Sequence, residues 1–75
     1  MFIKLTNASP PFQNKTVVLK KDNIVSIFET DIEVPIVSEK DEVIDLLKEK
    51  VTAIFCGTVG IWYVKETLEE IYKSL

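Results

Sequence analysis

VTAIFCGTVGIWYVKETLEEIYKSL, residues 51–75, carries the most regular local pattern in the chain. Val51–Cys56 and Ile61–Val64 are runs of β-branched, aromatic and small apolar residues, the composition of strands. Gly57 and Gly60 bracket Thr58 and Val59, so the backbone can take positive φ at either end of the bend, and a four-residue hairpin loop joins the two strands. Thr67 offers a side-chain oxygen to the free amides of a helix start, and Glu70, three residues on, can complete a capping box. Glu66, Glu69 and Glu70 lie near the positive end of that helix dipole and Lys73 near its negative end. Leu68, Ile71, Tyr72 and Leu75 recur at the spacing of one helical face, so the short helix is expected to lie on the sheet. A helix of about nine residues is not stable alone in water.

Working outward, 75 residues make one domain, and a domain of this size buries only about 60% of the surface its unfolded chain exposes. A net charge of −3, with 28% charged and 47% hydrophobic residues, places the chain with globular rather than disordered proteins. No apolar run is long enough to span a membrane, and MFIKLTNASPP lacks the basic and apolar regions of a secretion signal, so the expected location is cytoplasmic, away from membranes. The single cysteine, Cys56, allows no internal disulfide and sits in a strand as a small core residue. All nine basic residues are lysines. Without arginine the chain lacks the planar fork that reads guanine edges and clamps phosphates, which counts against sequence-specific nucleic-acid binding.

From the start, Phe2–Thr6 alternates as a half-buried strand, and NASPPFQN (7–14), with Pro10-Pro11 at its centre, is a loop. Phe12 in that loop is either a lid over one end of the core or an exposed contact residue. Lys15–Lys20 is a second strand, Lys21-Asp22-Asn23 a turn, and Ile24–Glu29 a third strand. In Thr30–Val37, Ile32, Val34 and Ile36 alternate with Asp31, Glu33 and Pro35, and Pro35 restricts the piece to an edge strand or an extended arm. The acidic residues either protect that edge from unwanted pairing or make it selective for a partner. Ser38–Lys50, SEKDEVIDLLKEK, reads as a second helix capped by Ser38 and Asp41, with Val43, Ile44, Leu46 and Leu47 as its apolar face and Lys48 and Lys50 at its C-terminal end.

Catalytic chemistry has little to work with. With no histidine and one cysteine, the usual nitrogen and sulfur metal sites and nucleophile pairs are absent. The carboxylates Asp41, Glu42 and Asp45 and Glu66, Glu69 and Glu70 fall at expected helix starts, where dipole and capping account for them. Neither phosphate-cradling glycine motif occurs. No cofactor, metal or small-molecule substrate is expected. A nucleic-acid surface would need Lys15, Lys20 and Lys21 set around an exposed aromatic residue. Trp62 and Tyr63, adjacent in a strand, point to opposite faces, so an open sheet face would display one of them.

The opening FIKLTN (2–7), the middle VVLKKDNIVSIFET (17–30) and the ending GIWYVKETLEEIYKSL (60–75) resemble the short flagellar proteins of the FlbD/SwrD type. Gly60, Tyr63, Val64, Lys65, Glu66, Glu69 and Glu70 occupy the matching ending. The chain departs from that pattern in its Asp31–Lys50 insertion and its Pro10-Pro11 loop. The resemblance implies a flagellar role. The same ending is similar to the last hairpin and helix of LytTR-type DNA-binding domains, which are longer and basic.

The expected architecture is therefore α+β, a single small domain with an antiparallel sheet of four to five strands, a middle helix and a short C-terminal helix. The expected function is a non-enzymatic protein-interaction or regulatory module that contacts an unidentified protein partner or a second copy through Phe12, Ile32, Val34, Ile36 and Trp62. The alternatives are a nucleic-acid binder using the three lysines, and a phage or mobile-element modulator of a host protein.

Overall fold

The computed structural model describes residues 1–75. Five strands and one helix follow in the order β1 (Phe2–Thr6), β2 (Thr16–Lys20), β3 (Ser26–Val37), β4 (Val43–Phe55), β5 (Ile61–Val64) and α1 (Leu68–Ser74). One ladder pairs β1 with β2 and a second runs β3-β4-β5, all antiparallel. Backbone hydrogen bonds from Ala8 N to Tyr63 O (2.8 Å) and from Lys65 N to Thr6 O (2.9 Å), with a bridge between Asn7 and Val64, stitch the end of β1 to β5. The sheet thus curls around Ile3, Leu5, Leu19, Ile54, Cys56, Val64 and Ile71, against which Val17, Ile24, Ile27 and Trp62 pack.

The ending of the chain forms as its residues dictate. A single 3-10 turn, Gly57–Val59, links β4 to β5, with Gly57 at φ 63° and Gly60 at φ 113°, conformations that glycine adopts without a side-chain clash. Thr67 caps α1, its hydroxyl accepting from Glu70 N at 3.1 Å. The Glu66 carboxylate accepts from Thr6 N (2.8 Å) and Thr6 Oγ1 (3.0 Å), and Thr52 Oγ1 donates to Glu66 O at 2.7 Å. These three bonds anchor the approach to α1 on β1 and β4. Of the expected apolar face of α1, Ile71 is buried and Leu68 half-buried, while Tyr72 and Leu75 are exposed. One turn of contact is all that a helix this short makes with a curled sheet.

The middle helix is not there. Ser38–Lys50 divides into a hairpin turn and the first eight residues of β4. Ser38 does collect amides, but as a turn residue: its hydroxyl accepts from Lys40 N and Glu42 N, both at 3.3 Å, while Ser38 N donates to Glu42 O (2.9 Å) and Asp41 N to Ser38 O (3.0 Å). Asp41 takes the left-handed conformation, φ 60°, which asparagine and aspartate tolerate best among residues with a Cβ. A serine with a carboxylate three residues on serves a five-residue turn as well as a helix cap. Beyond it, the β-branched Val43 and Ile44 favour extended backbone, and the preceding Thr30–Val37 provides a complete ladder partner. Non-local pairing overrides a local helical pattern.

β3 and β4 are consequently one long hairpin, twelve and thirteen residues. β5 pairs only with Thr52–Phe55, so from Thr30/Val51 outward the hairpin is a two-stranded arm. At about 3.4 Å per residue the arm reaches roughly 25 Å from the three-stranded part. The molecule is correspondingly elongated, 42 × 21 × 18 Å.

Candidate interaction surface

In an antiparallel ladder, directly opposed residues share a face and alternate residues change face. The register of β3 on β4 runs without a break from Ser26/Phe55 to Ile36/Asp45. One face therefore carries Ile27, Ile54 and, through β5, Trp62 and Val64, all in or against the core. Along the arm the same face continues as the opposed pairs Asp31/Lys50 and Glu33/Lys48, then Pro35/Leu46. Its charges are matched across the strands, and Lys50 Nζ also meets Glu29 Oε2 at 3.0 Å. That hydrogen bond, with the charges of Glu29 and Asp31, holds the Lys50 proton above the usual lysine range.

The opposite face lies outside the curl of the sheet, and most of its large side chains are partly or largely exposed. On the three-stranded part it carries Phe28, Phe55, Ile61 and Tyr63 around the buried Ala53, and on the arm Ile32, Val34, Ile36 and Leu47, with Val51 buried at the arm's base. Phe28 is 44% exposed, Phe55 41% and Leu47 54%, high values for large apolar side chains within a ladder. Glu49 and Asp45 are the only charged groups on this face. Near the turn, a register shift after Ile36 leaves Val37, Val43 and Ile44 exposed as well. The apolar side chains here run along neighbouring strands rather than standing singly on the surface.

The residues expected to make contacts fall into two separate groups. Ile32, Val34 and Ile36 lie together on the open face of the arm, alternating as expected. Phe12, which is exposed, lies with Trp62 along a recess of about 210 Å³ that Pro10, Ile61 and Tyr63 also line. Asn7 holds that loop by donating from Nδ2 to Ser9 O (3.0 Å) and Phe12 O (2.8 Å). Trp62 is half-buried and packs against the core, whereas Tyr63, its neighbour, belongs to the open face.

Phe28, Phe55, Tyr63 and Leu47 extend the surface beyond the residues singled out from the sequence. A signal for them does exist. Asp31 with Lys50, and Glu33 with Lys48, are opposite charges whose residue numbers have a constant sum, the mark of an antiparallel hairpin. That register assigns every other residue of both strands to a face.

The lysines do not converge. Lys15 and Lys20 bracket β2, about 17 Å apart at strand spacing. Lys21 donates from Nζ to Ser74 O at the end of α1. No group of three or more cysteine or carboxylate side chains is placed to hold a metal ion, and no helix is long and apolar enough to cross a membrane. Cys56 is buried, and burial pushes its thiol pKa up, away from the reactive thiolate.

No protein-family model matches the chain, and neither a curated protein nor a solved structure does so.

Proposed function

We propose that this chain is a non-enzymatic protein-interaction module whose contact surface is the open face of the β3–β4 hairpin. The observation that carries the reading is the division of the arm into two unlike faces: paired charges on one side, Ile32, Val34 and Leu47 on the other. A ribbon that only had to remain in solution would carry polar groups on both faces, because each apolar side chain left in water forgoes about 25 cal/mol for every Å² it could bury. The arm, Thr30–Val51, carries seven carboxylates and three lysines, net −4. That charge favours a protein surface over a phosphate backbone or an anionic membrane.

The test is retention from a lysate of the source cells on tagged protein, with and without nuclease. Retention of protein that survives nuclease and is lost in Val34→Asp/Leu47→Asp supports the reading. Retention of nuclease-sensitive nucleic acid alone, lost in Lys15→Glu/Lys20→Glu, overturns it.

A further inference from the structure

Resting on that reading, we infer that the open face is covered by a second copy of this chain, the two hairpins packing face to face and antiparallel, so that the arm of each lies on the three-stranded part of the other. Three observations point to a self-complementary partner.

The first is area. The chain exposes 5481 Å². A compact monomer of 8.6 kDa exposes about 4,700 Å², so roughly 800 Å² is in excess, which is one partner's share of a standard interface. Its radius of gyration, 13.5 Å, likewise exceeds the roughly 11 Å of a compact domain of this length.

The second is shape. The open face has an aliphatic half on the arm (Ile32, Val34, Leu47) and an aromatic half on the three-stranded part (Phe28, Phe55, Tyr63). A two-fold axis crossing the strands at Thr30/Val51 lays β3 on β3 and β4 on β4 in opposite directions, with Ile32 over Phe28 of the second copy, Val34 over its Ser26 and Leu47 over its Phe55, and Tyr63 at the rim. Every contact then occurs twice, as an isologous interface requires, with the sheets about 10 Å apart.

The third is charge. The arm carries −4, whereas the remaining residues, with five carboxylates and six lysines, carry +1. Arms laid on arms would oppose −4 with −4. The antiparallel arrangement instead sets each arm, with Glu49 and Asp45 on its contacting face, against the uncharged face of a part that carries +1 overall. Edge-to-edge extension through β3 is unfavourable, since Pro35 lacks a donor and a two-fold centred near Ile32 would oppose Asp31 with Glu33.

Sedimentation equilibrium of the full chain at concentrations from micromolar to a few hundred micromolar tests the association. A mass of twice 8.6 kDa is expected. Val34→Asp/Leu47→Asp should raise the dissociation constant about 10,000-fold, as four charged groups, two from each copy, that each cost a factor of ten would do. A dimer indifferent to that variant overturns the assignment of the surface.

The arrangement is tested separately with near-isosteric single variants and a short bis-maleimide. A mixture of Val34→Cys and Ser26→Cys should cross-link, while Val34→Cys alone, and the unsubstituted chain with its buried Cys56, should not. Cross-linking of Val34→Cys to itself overturns the antiparallel order. A monomer at every concentration overturns the proposal entirely. In that case, nuclease-resistant retention of a different protein, lost in the aspartate variant, would leave the interaction reading standing, and absence of such retention would remove both.

Discussion

Replacing Ile32–Glu49 by Asn-Gly, so that Asp31 and Lys50 flank a two-residue hairpin turn, separates the arm from the rest of the chain. None of the seven buried residues of the main core lies in the deleted segment. The arm's large side chains lose little burial, since Val43, Ile44, Leu46 and Leu47 are all more than half exposed before deletion. What changes is the connection between the retained parts of β3 and β4. Closing them through two residues instead of eighteen lowers the closure entropy by (3/2)RT times the logarithm of nine, about 2 kcal/mol in favour of the folded state. Asn-Gly suits the type I′ turn that two-residue hairpins require. Urea unfolding followed by Trp62 fluorescence, at several protein concentrations and extrapolated to the monomer, should give a variant as stable as the full chain or up to about 2 kcal/mol more stable. The same variant should be monomeric, having lost its half of each arm contact. Failure to fold, or a loss of 2 kcal/mol or more, would refute the reasoning, because it would mean that the arm packs on its own chain.

Three further outcomes are expected. Ile71→Ala should cost about 2–4 kcal/mol as a buried large-to-small change, whereas Tyr72→Ala, one residue on and exposed, should cost less than about 0.5 kcal/mol in the same denaturant titration. Thr67→Ala removes the hydroxyl that accepts from Glu70 N and should cost about 1 kcal/mol, with Thr67→Ser retaining most of the stability. Burial raises the Cys56 thiol pKa, so at alkaline pH the folded chain keeps a proton that the unfolded chain releases near about 8.5. Stability should therefore fall as the pH rises above that value, and less so in Cys56→Ala. Alkylation of the thiol at pH 8 should be slow and follow the unfolding equilibrium.

Much of the fold was legible because its signals are local. The Gly57–Gly60 turn, the Thr67 cap and the alternation of Phe2–Thr6 each depend on residues a few positions apart, and all three appear as read. Thr30–Val37 was legible as an edge strand because Pro35 forbids a central position and Ile32, Val34 and Ile36 alternate. Ser38–Lys50 was not, because Val43, Ile44, Leu46 and Leu47 satisfy helical spacing, and the cue against it is a charge register with residues up to nineteen positions upstream. The contact surface divided in the same way. Its β3 half could be named from the sequence, while Leu47, Phe55 and Tyr63 depend on which face the register gives them.

The segment with helical spacing and the alternating Thr30–Val37 are the two strands of one arm, and the physics of that arm accounts for both. A two-stranded hairpin is marginal in water and is held by cross-strand pairs rather than by a core. This arm spends one face on such pairs, Asp31/Lys50 and Glu33/Lys48, and guards the β3 edge with Pro35. Protection of the edge and of one face leaves a single direction in which large apolar groups meet another surface. Leu47 on the open face, Leu46 on the charged face and Val43 and Ile44 near the turn together give the segment its helical spacing. Local pattern and global fold disagree in this segment because a complete ladder with Thr30–Val37, rather than the helical spacing of four apolar residues, decides its backbone.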